Sequence, residues 1–335
     1  MEIRKYYIDL IEGRPGGVLA YLLKLFLGLF SLIYWVLVFL RNLLYDKRFI
    51  LRSRSCSIPV VGIGNLTWGG TGKTGLTLAL CSMFSSKKIA VLTRGYGRDE
   101  VSLLKASLKD SGSEVFVGRD RLGIVKGVAG KYDLAILDDG FQYRRLKKDL
   151  EVVLLNGNSP FGNGRLIPAG PMREPKGSLK RADLAVITQS QPDRDLELYL
   201  VSINPRLKVF YASYQVKGIS DSSGNIHPRD ILLNKPVGCF SAIGYPQGFL
   251  ETLNSIGVNP VLKFIYPDHH DLKEGEFRLI EKECAAKNIS TLAITAKDRS
   301  RFRFETSLSV MAVEVEMVIE RLDDFLSFFK RCTGL

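Results

Sequence analysis

A glycine-rich stretch around residue 70 carries the residue types that bind the phosphates of a nucleotide. It reads GNLTWGGTGKT, follows the apolar run of residues 59–63 and precedes an apolar helical pattern that begins at Leu76. Glycines let such a loop fold tightly enough for its amide groups to point at phosphate oxygens, and the following helix adds its dipole. The stretch therefore predicts a P-loop whose nucleotide-binding residues are Gly69, Gly70, Thr71, Gly72, Lys73 and Thr74.

The end of this loop also predicts the cofactors, ATP and Mg²⁺. In a P-loop the lysine reaches the β- and γ-phosphates and the next hydroxyl holds Mg²⁺, so Lys73 is a catalytic candidate and Thr74 a metal ligand. Thr67 occupies the position of the first glycine in the standard pattern. A glycine-rich turn without function is the alternative. The strand before the loop, the helix after it and the intact GKT sequence favour nucleotide binding.

Two adjacent carboxylates follow a second apolar run. Residues 134–137 read LAIL and lead directly into Asp138 and Asp139. In a parallel α/β sheet, ligands bind at the carboxyl ends of the strands, and an acid there orders Mg²⁺ or its water shell. The pair also fits a strand that simply runs into a turn, but the upstream P-loop favours a metal site. Which of the two aspartates contacts the metal is left open.

Three further polar stretches have the composition of an acceptor site. They are residues 93–100 (TRGYGRDE), 163–175 (NGRLIPAGPMREP) and 266–270 (YPDHH). P-loop chemistry either drives a conformational cycle or phosphorylates a substrate. Partitioning ATPases, one class of switch, carry a lysine directly before the glycine pair, whereas this chain has Trp68 there. The sequence therefore favours a kinase, and a membrane-tethered ATPase that acts as a switch or assembly factor is the alternative.

The elements that must position these residues alternate between apolar strands and helical patterns. Strands are predicted at Val60–Ile63, Ile89–Thr93, Val115–Val117, Leu134–Leu137, Val152–Leu155, Leu184–Thr188, Val209–Tyr211, Val237–Phe240, Leu262–Phe264, Leu292–Ile294 and Leu308–Val315. We therefore predict an α/β fold, with a P-loop NTPase-like doubly wound sheet and a second, smaller α/β domain that completes a cleft. The predicted segments are a membrane anchor with a basic flank at 1–50, the nucleotide-binding domain at 51–205 and the smaller domain at 206–335.

The N-terminal segment predicts attachment to a membrane. Residues 18–40 form an apolar run with Lys24 as its only charge, and at about 1.5 Å per residue they extend about 35 Å, enough to cross a bilayer. A signal peptide would have a shorter apolar core and a small-residue cleavage site after it. Trp35 within the run leaves a helix that lies in the interface as a further alternative. The positive-inside rule places the main body in the cytoplasm, because the run is followed by Arg41, Lys47, Arg48, Arg52 and Arg54.

The overall composition limits the classes of molecule that the protein is expected to bind. Hydrophobic residues make up 46% and charged residues 24% of the 335 residues, a globular composition, and the formal net charge is +12. Such a basic excess suits a polyanion or an anionic membrane surface. No helix-turn-helix, zinc-finger or RNP-like pattern is found, so nucleic-acid binding is not expected. The five cysteines form no CxxC pair, and three histidines make a histidine-rich metal site unexpected.

Taken together, the motifs resemble those of the tetraacyldisaccharide 4'-kinases of lipid A biosynthesis. The resemblance runs from the membrane segment to about Asp298 and rests on GNLTWGGTGKT, TRGYGR, LDDGFQ, NGRLIPAGPMREP, PDHH and the T-x-K-D sequence at 295–298. It implies transfer of the γ-phosphate of ATP to the 4'-hydroxyl of a tetraacylated glucosamine disaccharide 1-phosphate, which gives lipid IV-A. It also implies a bacterial inner membrane, with the catalytic part facing the cytoplasm and the anionic inner leaflet.

The resemblance assigns roles to further residues. It implies that Asp99 is the catalytic base and that His269, rather than His270, is oriented near it from the other lobe. A surface aspartate in a turn and a hydrogen-bonded loop histidine are the alternatives. Arg173 is expected to neutralise phosphate charge, because its planar guanidinium suits paired oxygen contacts, and Glu174 to join the metal shell through water. A structural ion pair in a proline-stiffened loop is the alternative for both.

Five other polar residues and one variant complete the expectations. Arg94 and Gln142 are expected to position the substrate. The charge run at residues 119–121 (RDR) is expected on a solvated surface. A scaffold that merely binds nucleotide, the third interpretation, would keep its function after Lys73→Ala, whereas a kinase would lose it.

Overall fold

The computed structural model describes most of the chain. The described residues are 2–47, 51–95, 98–109, 111–268 and 270–335, with the backbone alone for residues 2–5, 98 and 99. They form two compact units, each built from segments that are distant in sequence. The first unit comprises the described residues of Met1–Arg94, Ser111–Ala212 and Ile319–Leu335, and the second those of Gly95–Asp110 and Ser213–Val318. The predicted segments 1–50, 51–205 and 206–335 stay predictions.

Helices and strands alternate along most of the chain. The helices are α1 (Glu2–Ile11), α2 (Val18–Asp46), α3 (Lys73–Met83), α4 (Arg98–Ser107), α5 (Arg121–Val128), α6 (Arg194–Ile203), α7 (Pro246–Ser255), α8 (Glu274–Ala286) and α9 (Leu322–Thr333). The strands are β1 (Val60–Asn65), β2 (Ile89–Thr93), β3 (Glu114–Val117), β4 (Leu134–Asp138), β5 (Leu150–Asn156), β6 (Leu184–Thr188), β7 (Lys208–Ser220), β8 (Ile226–His227), β9 (Val237–Ser241), β10 (Leu262–Ile265), β11 (Thr291–Thr295) and β12 (Ser309–Ile319). Each predicted strand overlaps an observed one, and the short strand β8 was not predicted.

The first unit is built around a parallel sheet. Its strand order is β7-β6-β5-β1-β4-β2-β3, where β7 contributes residues up to Ala212. Strands β1, β2, β4 and β6 are buried along their whole length, as expected of parallel strands covered on both faces. Because β4 and β5 lie on opposite sides of β1, the connections diverge at the carboxyl end of β1. Doubly wound sheets bind their ligands at such a point.

Helix α9 returns the end of the chain to the first unit. Its residues Phe325 and Phe329 are fully buried. The Phe329 ring stacks on Phe84, with a centroid distance of 4.9 Å, and the Phe325 ring lies edge-on to Phe210 at 5.4 Å. These aromatic contacts bury a large apolar area, so the last helix is an integral part of the unit's core.

The second unit contains a smaller sheet. Its strand order is β10-β9-β11-β12, followed by the part of β7 that begins at Ser213. Strands β10, β9, β11 and β12 pair in parallel, whereas β8 pairs with β7 in antiparallel fashion. Helix α4 packs on the 3₁₀ helix Ala296–Arg301 in this unit, although in sequence it follows β2 of the first. The predicted α/β class with a second α/β part is confirmed.

Helix α2 is the predicted membrane segment. By length and composition it could cross a membrane, with a mean hydropathy of 2.3 over a window that is only 6% buried. Large apolar side chains such as Phe26, Leu29 and Leu37 are exposed. The opposite side of the helix packs on the first unit, where Val38 is 5% exposed and Tyr34 lies against the core. The helix thus has one exposed apolar side and one docked side.

Candidate active site

The P-loop connects the end of β1 to the start of α3. Gly69 (φ 99°) and Gly72 (φ 92°) adopt left-handed backbone conformations that residues with a Cβ rarely reach. Helix α3 begins at Lys73, so its unpaired amide groups and dipole lie at the loop. The Asn65 side chain donates to the hydroxyl of Thr71 across the loop, with Nδ2–Oγ1 at 3.0 Å. This geometry suits the phosphates of a nucleotide.

Side chains from other elements fix the backbone of the P-loop. Gln142 Nε2 donates to the carbonyl of Asn65 at 2.9 Å, and Thr188 Oγ1 donates to the carbonyl of Thr71 at 3.2 Å. Gln189 Nε2 donates to the carbonyl of Gly70 at 3.0 Å. Gln142, predicted to position the substrate, therefore contacts the loop that holds the nucleotide. Thr188 and Gln189 could not be found from the sequence, since they lie at the end of the distant strand β6.

The first half of the P-loop, where the chain departs from the standard pattern, pairs with residues 171–173. The Trp68 amide donates to the carbonyl of Pro171 at 2.9 Å, and the Arg173 amide donates to the carbonyl of Leu66 at 2.6 Å. Thr67, at the position of the missing glycine, forms an antiparallel bridge with Met172 and is 6% exposed. The P-loop and the predicted acceptor stretch at 163–175, hereafter the 163–175 loop, are thus joined by main-chain hydrogen bonds.

The predicted acid pair lies at the end of β4, next to the P-loop strand. Ile63 of β1 is paired with Asp138, which is 3% exposed. Asp139 adopts a left-handed conformation with φ 54°, which aspartate tolerates better than most residues, and this turn directs the chain away from the sheet. Both aspartates therefore leave the sheet at its carboxyl edge, level with the P-loop.

Asp139 is surrounded by cations. Its carboxylate accepts two hydrogen bonds from Arg173 Nη1, at 2.7 and 2.9 Å, and lies 3.7 Å from Lys73 Nζ. Burial by itself would raise the pKa of Asp139, but Lys73, Arg173 and Arg121 together hold that pKa below its ordinary value. The structure thus brings together three of the predicted site residues, Lys73, Asp139 and Arg173.

The oxygen donors around the P-loop fit Mg²⁺. Thr74 lies in the first turn of α3, and Asp138 ends the strand beside β1. Nucleotide sites hold Mg²⁺ with one or two carboxylates and complete the shell with phosphates and water, so this donor set suffices. Within the described part of the chain, no group of three or more His, Cys, Asp or Glu side chains could hold a metal ion. The residues present therefore fit a Mg²⁺ ion that is bound together with ATP.

Glu174 lies in a buried cluster of ion pairs. Its carboxylate is fully buried and pairs with Arg41 at 2.9 Å and Arg181 at 3.0 Å. Asn42 Nδ2 and Ser178 Oγ also donate to it, at 3.1 and 2.9 Å. Burial would raise the pKa of Glu174, but Arg181 and Arg41 hold the pKa below its ordinary value. The contacts of Glu174 match the alternative, a structural ion pair. The expectation that Glu174 contacts the metal through water stays a prediction.

Arg121 corrects one expectation about the charge run at residues 119–121. Arg119 and Asp120 are exposed as predicted, but Arg121 is only 5% exposed. Its Nη1 donates to the carbonyls of Asp138 and Asp139, at 3.3 and 3.0 Å, and its guanidinium lies 4.2 Å from the Tyr143 ring centroid. Burial lowers the pKa of Arg121. Arg121 therefore supports the backbone of the acid pair, which no local pattern in the sequence indicates.

Helix α4, which includes the backbone of Asp99, belongs to the second unit, and so does Asp268, which precedes His269 in sequence. The side chain of Asp99 and the whole of His269 lie outside the described residues. Lys297 Nζ contacts Glu100 Oε1 at 3.2 Å and Asp268 Oδ1 at 3.4 Å. Glu100 directly follows Asp99 in sequence, and Asp268 directly precedes His269. His270 stacks on Tyr266, with ring centroids 4.7 Å apart, and its Nε2 lies 2.9 Å from Glu276 Oε2.

Arg94, the remaining candidate, is exposed just beyond the end of β2. Its predicted role in positioning the substrate stays a prediction. Because β2 is hydrogen-bonded to β4, the ends of the two strands lie at the same edge of the first sheet. Arg94 therefore belongs to the same edge as the acid pair.

Comparison with known proteins identifies the family. The family model described as "Tetraacyldisaccharide-1-P 4'-kinase" matches residues 23–331. The chain belongs to this family. It is 33% identical over 283 residues to the tetraacyldisaccharide 4'-kinase of Syntrophobacter fumaroxidans, a match that covers 76% of this chain and 74% of the relative. It is 31% identical over 342 residues to that of Syntrophus aciditrophicus, covering 90% and 91%.

A solved structure supports the same assignment. The crystal structure of LpxK from Aquifex aeolicus in complex with ATP matches this chain with a TM-score of 0.71 and 26% identity, covering 93% of this chain and 99% of that one. The predicted fold and the predicted class, an ATP-dependent kinase of lipid A biosynthesis, are thus confirmed. The alternative of a switch ATPase loses its support.

Proposed function

We propose that this chain transfers the γ-phosphate of ATP to the 4'-hydroxyl of a tetraacylated glucosamine disaccharide 1-phosphate, giving lipid IV-A. The observation that carries the proposal is the contact of Lys73 and Arg173 with Asp139 beside the P-loop. Phosphoryl transfer needs positioned positive charge around the γ-phosphate, because its transition state carries spread negative charge. The contacts of Lys73 and Arg173 with the same carboxylate beside the P-loop support this role for the two cations.

Different residues of the first unit contact different parts of the nucleotide in this proposal. The amides of Gly69–Gly72 and the start of α3 bind phosphate oxygens, and Lys73 reaches the β- and γ-phosphates. Asp139 already contacts Lys73 and Arg173, so we assign it the alignment of these two cations. Thr74 and Asp138 would hold Mg²⁺, which when bound supplies further neutralisation of phosphate charge.

We assign Asp99 as the base for the acceptor hydroxyl. As the 4'-oxygen forms its bond to the γ-phosphorus, the bond from phosphorus to the ADP oxygen breaks and the hydroxyl proton passes to Asp99. Lys297, which contacts Glu100 and Asp268, supports a common location for the segments that carry Asp99 and His269. An imidazole beside the carboxylate would fix its charge and orientation. His270 is engaged with Tyr266 and Glu276, which supports His269 as the functional histidine.

The membrane helix lies along the first unit in our proposal, instead of crossing the bilayer independently of it. Its contacts with the 163–175 loop extend from Ser31 to Asn42, a rise of about 16 Å. A helix docked over this length exposes only its other side, where apolar residues are free to enter the lipid interface. With a net charge of +12, the enzyme would bind the anionic cytoplasmic leaflet of a bacterial inner membrane.

This location matches the substrate. An acylated disaccharide phosphate is anionic and held in the membrane, so an enzyme that phosphorylates it must work at the lipid surface. The helix supplies apolar contact with the lipid, and the basic residues supply electrostatic attraction to its anionic headgroups. Arg48 of the predicted basic flank lies outside the described residues.

Product analysis tests the proposal. Purified protein in detergent micelles is given ATP, Mg²⁺ and the tetraacylated disaccharide 1-phosphate, and the lipid is examined by mass spectrometry and by NMR of the phosphorylated position. We expect a product heavier by one phosphate, esterified at the 4'-oxygen. Lys73→Ala should form none, and Lys88→Ala, which removes an exposed lysine of the same unit, should behave as wild type. A folded wild-type protein that leaves the lipid unchanged would exclude the proposed reaction.

A further inference from the structure

The docked side of α2 carries four polar residues that contact the 163–175 loop. Ser31 Oγ donates to the carbonyl of Leu166 at 2.9 Å, and Tyr34 OH donates to the carbonyl of Arg173 at 2.9 Å. About two turns further on, Arg41 and Asn42 contact the carboxylate of Glu174. A helix that served only as an apolar membrane anchor would not need these polar groups, because burying a polar group without a hydrogen-bond partner costs free energy.

Glu174 depends on the helix for half of its partners. Arg181 and Ser178, which follow it in sequence, donate from one side, and Arg41 and Asn42 of α2 donate from the other. The carboxylate is fully buried, so every missing partner would leave part of its charge uncompensated. Its position is therefore determined by the docking of α2.

The residue next to Glu174 belongs to the reactive site. The Arg173 side chain binds Asp139, and its amide donates to the carbonyl of Leu66 in the P-loop. Two adjacent residues thus link the membrane helix on one side to the phosphate-binding residues on the other. A shift of Glu174 would be passed directly to the Arg173 backbone, because the two share a peptide bond.

We propose that Arg41 and Asn42 are positioning residues for phosphoryl transfer, which hold Glu174 and thereby place Arg173 against Asp139. The membrane helix is then part of the support of the active site as well as the attachment to lipid. This inference rests on the proposed function, since it concerns the geometry around the transferred phosphate. Arg173 acts on developing charge, whereas the P-loop amides bind ground-state ATP, so the turnover number should respond more than the KM for ATP.

Kinetics in detergent micelles test the inference under conditions where membrane attachment does not limit the reaction. Arg41→Met should lower kcat by up to about tenfold, no more than the loss of the Arg173 contact itself, with the KM for ATP changed less than about twofold. Arg41→Lys, which keeps the charge, should recover part of the loss. Lys47→Met is the matched control, because Lys47 directly follows the same helix and its side chain is exposed.

A double variant shows whether Arg41 acts through Glu174. If it does, Arg41→Met combined with Glu174→Gln should be no slower than the slower single variant, whereas independent roles would multiply. The inference is wrong if Arg41→Met keeps the wild-type kcat, or if Lys47→Met lowers kcat equally. Either result with an active wild type leaves the proposed function intact. A wild type that transfers no phosphate would instead overturn the proposed function itself.

Discussion

Replacing Arg173 with methionine removes the guanidinium that joins the 163–175 loop to the acid pair. Methionine keeps a long, flexible side chain, so the packing around the loop is largely preserved while the charge is lost. Asp139 would keep Lys73 as a partner at 3.7 Å but lose the two contacts at 2.7 and 2.9 Å. The alignment of positive charge beside the P-loop would therefore fail without loss of the nucleotide-binding loop.

The size of the effect follows from those contacts. Hydrogen bonds that involve a charged group contribute about 1.5–3 kcal/mol, and about 1.4 kcal/mol corresponds to a tenfold change in rate. The loss of the Arg173–Asp139 contact should thus lower kcat by about tenfold to 150-fold. The Arg173 side chain is 28% exposed, so solvent screening places the expected value near the lower end.

The assay measures initial rates of phosphate transfer at saturating lipid over a range of ATP concentrations. Arg165→Met is the control, since Arg165 belongs to the same loop but is exposed. We expect a lowered kcat and a nearly unchanged KM for ATP for Arg173→Met, and wild-type values for the control. Equal rates for the two variants would refute the assignment of Arg173 to the reactive site.

The remaining predictions concern pH, histidine roles and the core. The pKa of Asp139 is held below its ordinary value of 3.8, so its ion pairs contribute stability that is fully present above that value and is lost as the pH falls through the lowered pKa. The difference in unfolding free energy between wild type and Asp139→Asn should therefore be constant near neutral pH and shrink below about pH 4, and a difference that grows on acidification would contradict the sign. His269→Ala should lower kcat by about a hundredfold or more with little change in the melting temperature, whereas His270→Ala should lower the melting temperature with little change in kcat; the reverse pattern would exchange their roles. Phe329→Ala should lower the unfolding free energy by about 3–5 kcal/mol in denaturant titrations, because it empties a fully buried ring site, and a loss below about 1 kcal/mol would show that α9 is not part of the core.

The parts of the site that the sequence predicts are those formed by adjacent residues. The GKT sequence, the strand before it and the acid pair after LAIL each combine an apolar run with a local polar signal, and both runs became fully buried parallel strands. Their neighbourhood follows from topology alone, because parallel strands place their carboxyl ends at one edge. That β4, and not β2, is hydrogen-bonded to β1 was not predicted, because the strand order depends on contacts between distant segments.

The parts that could not be predicted depend on contacts between distant segments. Burial of Arg121 under the acid pair, and the insertion of α4 into the second unit, have no local signature. The polar contacts of α2 could not be predicted from the apolar pattern of residues 18–40, because Ser31 and Tyr34 also occur in helices that only span a membrane. Arg41 likewise looked like part of a basic flank, whereas it pairs with a buried carboxylate 133 positions later in the chain, Glu174.

Labelled ATP tests the central claim, that this P-loop site transfers phosphate to a lipid acceptor. With ATP labelled at the γ-phosphorus, both the lipid and the free phosphate are counted in the presence and absence of the tetraacylated disaccharide 1-phosphate. The account predicts one label in lipid for each ATP consumed, and almost no consumption without the lipid. Steady release of labelled free phosphate that is independent of the lipid would contradict it.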